Sequence, residues 1–258
     1  MDLGQHFLIN KNIIDKIVDA LDLSKQDIVL EIGGGKGALT EKIVDKVKKI
    51  YVVEISTNLA NFLKEKFCSY SNLEVINLDF LKLDLERFST QNFKIVGNIP
   101  YSITSEILHK IFVSNYLWKI CVIMLQKEVA EKVLADVGSK FFCKLTLISN
   151  FYSKVEKVCD VSRRNFYPQP KVNSAVLKFL PNLEFSDFKY KELMLKIIDL
   201  SFKHKRKTLL NSLCLELNLE KNLLNKILID LGIKSDSRPN EVDIYKYKKI
   251  TEKLSKFM

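Results

Sequence analysis

Short apolar runs recur through the first 180 residues and alternate with stretches of helical spacing. Five of these runs have no polar face, which is typical of strands buried on both sides of a parallel sheet: Asp27–Ile32, Ile50–Ile55, Leu73–Asn77, Phe93–Gly97 and Ile120–Leu125. Between them, apolar residues recur at i, i+3 and i+4, as Leu59, Phe62 and Leu63 do. Alternating strands and helices predict a doubly wound, mostly parallel α/β sheet.

The pattern changes at Pro181. Residues Ser174–Leu180 form a last strand signal, and beyond Pro181 only helical periodicity remains. Three groups of apolar residues carry it, beginning at Leu209, Leu223 and Ile244. We therefore predict two domains, an α/β domain over residues 1–180 and a small all-helical domain over residues 181–258.

A glycine-rich loop follows the first predicted strand and opens a helix. Glycines there let the backbone turn sharply and approach a ligand, and the helix start offers unpaired N–H groups. The segment fits a dinucleotide fingerprint (Gly33, Gly35 and Ala38), a methyltransferase loop (Gly33, Gly35 and Gly37), or a plain tight turn. The loop alone leaves the three open.

Two acidic residues follow the next strands. Glu54 stands 21 residues after Gly33, the distance expected for an acid that accepts hydrogen bonds from ribose hydroxyls. Asp79 ends the third strand signal and can accept from an adenine amino group, with Ile55 and Phe80 flanking the ring. Because ligands of open α/β sheets bind at the carboxyl ends of the strands, these residues together predict a nucleoside site.

The segment Gly97–Tyr101, with the sequence Gly-Asn-Ile-Pro-Tyr, follows the fourth strand and decides between these possibilities. The exocyclic amine of adenine is a poor nucleophile, so a catalyst can help by accepting its N–H bonds and holding the nitrogen in line with a methyl donor. The Asn98 side-chain oxygen and the Ile99 carbonyl suit this role, and Tyr101 can stack on the base. A simple Pro-Tyr turn is the alternative interpretation.

Charge points to a polyanionic partner. The 258 residues contain 41 Lys and Arg against 31 Asp and Glu, a formal net charge of +10, which favours nucleic acid. No apolar run reaches the length of a membrane span and the N-terminus has no signal character, so we expect a cytoplasmic protein. The five cysteines form no CxxC pair and neither His109 nor His204 has a second ligand at metal spacing, so we expect no metal site.

Taken together, these motifs resemble the KsgA-type ribosomal RNA small subunit adenine N6,N6-dimethyltransferases. The resemblance runs nearly end to end through six segments: Gly4–Leu8, Glu31–Thr40, Gly97–Tyr101, Leu125–Val129, Phe166–Ala175 and Arg206–Leu213. It implies a Rossmann-like methyltransferase sheet, S-adenosyl-L-methionine as methyl donor, and dimethylation of two adjacent adenines near the 3′ end of small-subunit ribosomal RNA. It also implies a role in ribosome biogenesis.

The resemblance also implies roles for individual residues. The cofactor-binding residues would be His6, Leu8, Gly33, Gly35, Glu54, Asp79 and Asn98. For catalysis, Phe166 would face Tyr101 across the target adenine, beside Asn98. For RNA binding, the basic surplus and the family match favour phosphate contacts over a solvated helix face for Lys203, Lys205, Arg206 and Lys207, and likewise for Arg163 and Arg164.

The chain departs from the family pattern at a few positions. Gly34 stands where the family usually has Pro, Ser56 where an Asp commonly follows the ribose-binding acid, and His6 where Asn is frequent. None of these removes a group that the chemistry needs. The basic stretch that often precedes the Gly-Gln motif of the family is missing before Gly4.

Two other functions remain open on the sequence. A nicotinamide-dependent oxidoreductase would share the glycine loop and Glu54, but it gives no reason for Asn98–Tyr101 beside a basic surface. A non-catalytic RNA-binding ribosome-assembly factor would keep the fold and charge, yet the intact Asn98 and Tyr101 disfavour it. We expect a monomer that acts on ribosomal RNA within an assembling subunit.

Overall fold

The structure is a computed structural model that describes residues 6–88, 93–114, 118–204 and 206–257. It divides into two compact units. The first unit contains the chain up to Ala130 together with Ser153–Pro181, and the second contains Glu131–Tyr152 and the chain from Asn182 onward. Residues 131–152, which the sequence prediction assigns to the first domain, cluster with the second unit because the helix they carry packs against the helices there.

A seven-stranded sheet forms the centre of the first unit. Its strands are β2 (Ile28–Ile32), β3 (Lys49–Glu54), β4 (Leu73–Asn77), β5 (Phe93–Asn98), β6 (Trp118–Gln126), β7 (Ser153–Val161) and β9 (Ser174–Pro181). Their order is β4-β3-β2-β5-β6-β9-β7, and only β9 runs opposite to its neighbours. The predicted doubly wound, mostly parallel α/β sheet is confirmed.

Helices of the first unit follow the strands as the apolar spacing predicts. They are α1 (Lys11–Ala20), α2 (Thr40–Ile43), α3 (Thr57–Lys66) and α4 (Thr104–Val113), and α5 (Lys127–Val133) spans the boundary to the second unit. Short 3₁₀ turns occur at Val44–Lys46, Phe80–Lys82, Glu86–Phe88, Tyr101–Ile103 and Arg163–Asn165. Asn10 and Ser56 begin α1 and α3 by accepting backbone N–H groups with their side chains, which satisfies donors that the helices leave unpaired.

The core of this unit lies on both faces of the central strands. Val29, Ile50, Val96, Val122 and Val176, one from each of five strands, are fully buried. The strand β4 differs from the prediction because it lies at the sheet edge, where its residues are only half-buried or exposed. Burial on both faces therefore holds for the central strands and not for the edge.

A second, two-stranded sheet joins distant parts of the first unit. It pairs β1 (Phe7–Leu8) with β8 (Phe166–Tyr167) in antiparallel register, so that Phe7 lies opposite Tyr167 and Leu8 opposite Phe166. The Ile9 N–H donates to the Asn165 carbonyl at 2.9 Å and extends the pairing. The N-terminal segment is thereby fixed beside the segment that precedes β9.

The second unit is helical. Its helices are α6 (Lys144–Tyr152), α7 (Lys191–Phe202), α8 (Leu209–Leu217), α9 (Lys221–Asp230) and α10 (Ile244–Leu254), with 3₁₀ turns at Leu183–Phe185 and Pro239–Glu241. Gly232 adopts a φ of +68° just beyond α9, as a glycine that ends a helix does. Pro239 opens its 3₁₀ turn, and Asp243 caps α10. Over the described part of the chain, we find no helix with the length and apolar character needed to span a membrane.

Candidate active site

The site lies where the strand order reverses direction. β2 has β3 on one side and β5 on the other, so the connections that follow β2 and β5 lead to opposite sides and leave a cleft at their carboxyl ends. Gly97 allows the two strands to approach there, because a Cβ at this position would lie 2.8 Å from the Ile32 carbonyl oxygen. A side chain at residue 97 would push the two halves of the site apart.

A cavity of about 370 Å³ occupies this cleft, within the size range of small-molecule sites. Eight of the sequence-predicted site residues line it: His6, Leu8, Gly33, Gly35, Glu54, Asp79, Asn98 and Tyr101. They come from β1 and from the ends of β2, β3, β4 and β5. The fold therefore brings together the residues proposed for the cofactor and two of the three proposed for catalysis.

Glu54 is held by the backbone on both sides of its carboxylate. Its Oε2 accepts the Gly35 N–H and its Oε1 accepts the Ser56 N–H, both at 2.9 Å. Gly35 has a φ of +54°, a left-handed conformation that suits glycine and turns its N–H toward the acid. The side chain is 3% exposed, yet it lines the cavity. Since a carboxylate offers about four acceptor positions, it retains capacity for a ligand's hydroxyl groups.

Asp79 and the N-terminal segment complete the walls of the cavity. One carboxylate oxygen of Asp79 accepts the Leu81 N–H at 2.9 Å and begins the 3₁₀ turn at Phe80. His6 is fixed by a 2.8 Å hydrogen bond between its Nδ1 and the Pro168 carbonyl oxygen. Both side chains are therefore oriented before any ligand arrives.

Asn98 is oriented by its own amide group. Its Nδ2 donates to the His6 carbonyl oxygen at 3.0 Å. Because the donor end is occupied in this way, the Oδ1 acceptor is the end left for a ligand, and no described residue donates to it. The side chain is thus prepared to accept an N–H bond.

Tyr101 follows in a 3₁₀ turn at the same edge. Its hydroxyl shares a 2.6 Å hydrogen bond with the Ser174 hydroxyl, and Ser174 is fully buried on β9. Its ring centroid lies 6.1 Å from that of His6. Partial burial raises the pKa of the Tyr101 phenol, so the ring stays neutral at physiological pH. Tyr101 therefore offers a fixed, uncharged aromatic face.

The structure does not bring Phe166 to this cavity. Its side chain is 3% exposed and belongs to the hydrophobic core beside Leu8. Because successive side chains of a strand point to opposite faces, the neighbouring Tyr167 points outward, is 69% exposed and lines the cavity. In this structure, Tyr167 rather than Phe166 is the aromatic side chain that β8 presents to the site.

Glu31 is a cavity residue for which the sequence analysis proposed no role. Glu31 lies on β2 and lines the cavity. It is 1% exposed, and its carboxylate accepts a hydrogen bond from the Thr40 hydroxyl at 2.7 Å. Burial, reinforced by the neighbouring charge of Glu54, raises its pKa to about 8. The signal that could have found it is an acidic residue within an otherwise apolar strand, directly before the glycine loop.

The predicted RNA-binding residues fall into two groups. Arg163 and Arg164 are exposed in the first unit, in the turn that leads into β8. In the second unit, Arg206 and Lys207 are exposed. Lys203 is exposed as well, but its Nζ contacts the Glu216 carboxylate at 2.6 Å. These three second-unit cations lie after α7 has ended, not on a helix face, and Lys205 lies outside the described residues.

Histidine and cysteine side chains do not gather into a metal-binding cluster in the parts of the chain that the structure describes. His204 instead contacts the other oxygen of Glu216 at 2.8 Å. Cys121 is buried in β6, and burial raises the pKa of its thiol.

The chain matches one family model and is similar to named proteins over most of its length. Residues 1–254 match the family model described as "Ribosomal RNA adenine dimethylase". The chain is 36% identical to "Ribosomal RNA small subunit methyltransferase A" of Alkaliphilus oremlandii, covering 98% of this chain and 91% of that protein. It is 43% identical to the protein of the same name from Mycoplasmopsis pulmonis, over 85% of each chain.

Solved structures of methyltransferases also resemble this chain over nearly its full length. A dimethyladenosine transferase from Plasmodium falciparum superposes with a TM-score of 0.86 at 31% identity, over 97% of this chain and 98% of that one. The 23S rRNA methyltransferase ErmE superposes with a TM-score of 0.78 at 28% identity, over 96% of this chain and 99% of that one.

Proposed function

This chain belongs to the ribosomal RNA adenine dimethylase family, and on that premise we propose that its cavity binds S-adenosyl-L-methionine beside an adenine extruded from small-subunit ribosomal RNA. The protein is an S-adenosylmethionine-dependent rRNA adenine dimethyltransferase. The proposal goes further, to two adjacent adenines near the 3′ end of that RNA and to the residues that act on them. Asn98 supports the mechanism most directly, because it lines the cavity and its Oδ1 receives no hydrogen bond from any described residue.

The residues of the cavity fit a nucleoside-bearing methyl donor. Gly33 has a φ of +75°, a left-handed conformation that suits glycine, and a Cβ there would only reach ordinary contact with the Asn98 carbonyl oxygen, at 3.6 Å. Glu54 offers carboxylate oxygens suited to ribose hydroxyls, and Asp79 offers an acceptor suited to an adenine amino group. S-adenosylmethionine supplies a methyl group on a positively charged sulfur, which makes it an activated donor. Glu54, Asp79 and the glycine loop are the residues that would hold it.

In the proposed mechanism, Asn98 acts on the adenine amine. Its Oδ1 accepts an N–H bond of the amine, and the Ile99 carbonyl accepts the other, so that the nitrogen lone pair turns toward the methyl group. The bond from Asn98 Nδ2 to the His6 carbonyl keeps Oδ1 in place. As the new N–C bond forms, the S–C bond of the donor would break and leave its electron pair on sulfur. The nitrogen becomes cationic and then loses a proton to water, which restores a neutral amine. The reaction as proposed uses no metal, because the donor is already activated.

Tyr101 holds the target base in this proposal. A ring fixed by the Ser174 hydroxyl can stack on the extruded adenine and limit its rotation. Because Tyr101 remains a neutral phenol, it presents an electron-rich face to a base that gains positive charge during transfer. Stacking and hydrogen bonding then define one orientation of the amine for each of the two transfers.

RNA phosphates are the proposed partners of the exposed cations in both units. Arg163 and Arg164 lie three and two residues before Phe166, respectively, close in the chain to the cavity segment. Arg206 and Lys207 provide a second group of charges. Such contacts supply affinity without sequence information, and the cavity supplies the selection of adenine.

The two alternative functions are not favoured. An oxidoreductase does not account for the family match over residues 1–254. A non-catalytic assembly factor does not account for a cavity lined by both Asn98 and Tyr101. We propose that the protein acts in the cytoplasm, where ribosomal subunits assemble in bacteria, and as a monomer, because one chain supplies every residue of the proposed mechanism.

The test is methyl transfer to defined ribosomal subunits. The protein is incubated with labelled S-adenosylmethionine and either under-methylated small subunits or large subunits, and the modified bases are mapped. We expect dimethyladenine in small-subunit RNA only. Label in large-subunit RNA would instead assign the chain the specificity named for ErmE. No transfer to either RNA would refute the proposal.

Asn98 tests the mechanism within the same assay. Asn98→Ala should lower single-turnover rates by roughly two to three orders of magnitude, comparable to the loss of one preorganised hydrogen-bonding partner. RNA affinity, which phosphates dominate, should stay nearly constant. Asn61→Ala, an exposed position on α3, is the matched control and should leave the rate unchanged. A near wild-type rate in Asn98→Ala would reduce the segment to a simple turn.

A further inference from the structure

Tyr167 combines exposure with a place at the reaction site. It is 69% exposed, among the highest values for large hydrophobic side chains in the described residues, and it still lines the cavity. Its position is fixed, because β8 pairs with β1 and places it opposite Phe7. Exposing a large aromatic ring to water is unfavourable, so a fixed and exposed ring at a cavity mouth indicates a ligand that covers it.

The surroundings of Tyr167 indicate the chemistry of that ligand. Arg163, Arg164 and Lys171 are exposed within four residues of it in the chain. The Arg163 guanidinium also donates to the Lys171 carbonyl oxygen at 3.3 Å, which brings the two sides of the β8 segment together. A stacking surface flanked by cations is what binds single-stranded nucleic acid, with the bases on the ring and the phosphates on the cations. An apolar protein partner would not call for three exposed cations within four residues of the ring in the chain.

Tyr101 and Tyr167 lie at different depths. The Tyr101 hydroxyl reaches the fully buried Ser174, so its ring is anchored inside the cavity. Tyr167, with Ile9 at 59% exposure, forms the outer rim. A target adenine that enters to meet Asn98 therefore reaches Tyr101, while Tyr167 meets the part of the RNA that stays outside.

Extruding one base from a strand leaves its neighbour with an uncovered face, which costs stacking energy. We propose that Tyr167 stacks on the nucleotide adjoining the target adenine and replaces the stacking partner that extrusion removes. This inference rests on the proposed function and deepens it, because it assigns a positioning residue for RNA outside the cavity. Where the two target adenines are adjacent, one of them occupies the Tyr167 platform while the other is methylated.

The first experiment separates binding from chemistry. With under-methylated small subunits as substrate, Tyr167→Leu should raise KM by about 5- to 150-fold, the range for one lost stacking contact, with kcat changed by less than about twofold. Tyr167→Phe should restore the wild-type KM, because it keeps the ring and loses only the hydroxyl. Phe62→Leu, at an exposed aromatic position on α3 that does not line the cavity, is the control and should change neither constant. An unchanged KM in Tyr167→Leu, or no rescue by Tyr167→Phe, would overturn the inference.

The second experiment identifies the base. Small subunits are reconstituted with rRNA that has one target adenine and an abasic nucleotide beside it. The wild-type KM should rise by the same factor as the substitution causes, and Tyr167→Leu should add no further increase, since both changes remove one contact. Multiplying effects would show that Tyr167 contacts another group. If wild-type protein methylates no rRNA at all, the proposed function fails; if it methylates normally and Tyr167→Leu matches it, only this inference fails.

Discussion

Glu31 makes the stability of the protein depend on pH in a direction opposite to that of an ordinary surface acid. It is 1% exposed, its hydrogen bond from Thr40 does not offset burial, and its pKa rises from 4.5 to about 8. The folded protein therefore binds a proton at this site that the unfolded chain releases near pH 4.5. Stability from this proton is fully present below pH 4.5 and is lost as the pH rises toward 8.

The size of the effect follows from the shift. A change of about 3.5 pKa units corresponds to roughly 5 kcal/mol at most, since one unit is worth about 1.4 kcal/mol. Glu31→Gln removes the ionisation and keeps the shape of the side chain. As the pH rises from 4.5 to 8, the free energy of unfolding of Glu31→Gln should therefore increase relative to that of the wild type, by up to about 5 kcal/mol.

Urea denaturation of the protein without cofactor, at several pH values from 5 to 8.5, measures this difference. Glu74→Gln is the control, because Glu74 is an exposed acid on the edge strand β4 and should give a difference that stays constant over this range. If the curves of free energy against pH for Glu31→Gln and wild type run parallel, Glu31 is ionised in the folded protein. The account of its burial given above would then be refuted.

Three further predictions follow from the site and its surroundings. Glu54→Gln places an amide donor where a backbone N–H also donates, so the binding free energy of S-adenosylmethionine, measured by titration calorimetry, should weaken by about 1.5 to 3 kcal/mol. Equal affinity in this variant and in Glu65→Gln, an exposed control on α3, would exclude Glu54 as a cofactor-binding residue. Phe166→Ala leaves a cavity in the core and should lower the free energy of unfolding, measured in urea, by about 3 to 5 kcal/mol. A variant that keeps its stability but loses RNA affinity would instead support the role of Phe166 as a contact of the target adenine. Arg206→Ala should reduce the magnitude of the log-log salt slope of RNA binding by about 0.7 to 0.9, and an unchanged slope would mean that Arg206 is only solvated.

The parts of the fold that could be predicted are those in which one physical requirement dominates the local sequence. The central strands β2, β3, β5 and β6 are buried on both faces, so they are continuous apolar runs. The positions of the cavity residues could also be predicted, because the carboxyl ends of parallel strands meet at one edge of the sheet. Neither inference needed knowledge of how distant segments pair.

The parts that could not be predicted depend on distant pairing or on single-residue alternation. The strand β7 is an edge strand with exposed positions, and its charged residues hide the apolar signal. The strand β8 has two residues, too few for any periodicity, so the sequence could not decide whether Phe166 or Tyr167 faces the cavity. The packing of residues 131–152 with the second unit depends on tertiary contacts that no local pattern encodes.

The pairing of β1 with β8 has a consequence for the time at which the protein can begin to work. The two strands are separated by roughly 160 residues, so the residues of β1 wait for partners that are translated much later. At synthesis rates of about 5 to 20 residues per second, this interval lasts roughly 10 to 30 s. Until then His6 and Leu8 have no fixed place, and the donor cavity lacks one wall. A nascent chain is therefore incompetent for catalysis until most of its first unit exists, whatever the progress of the central sheet.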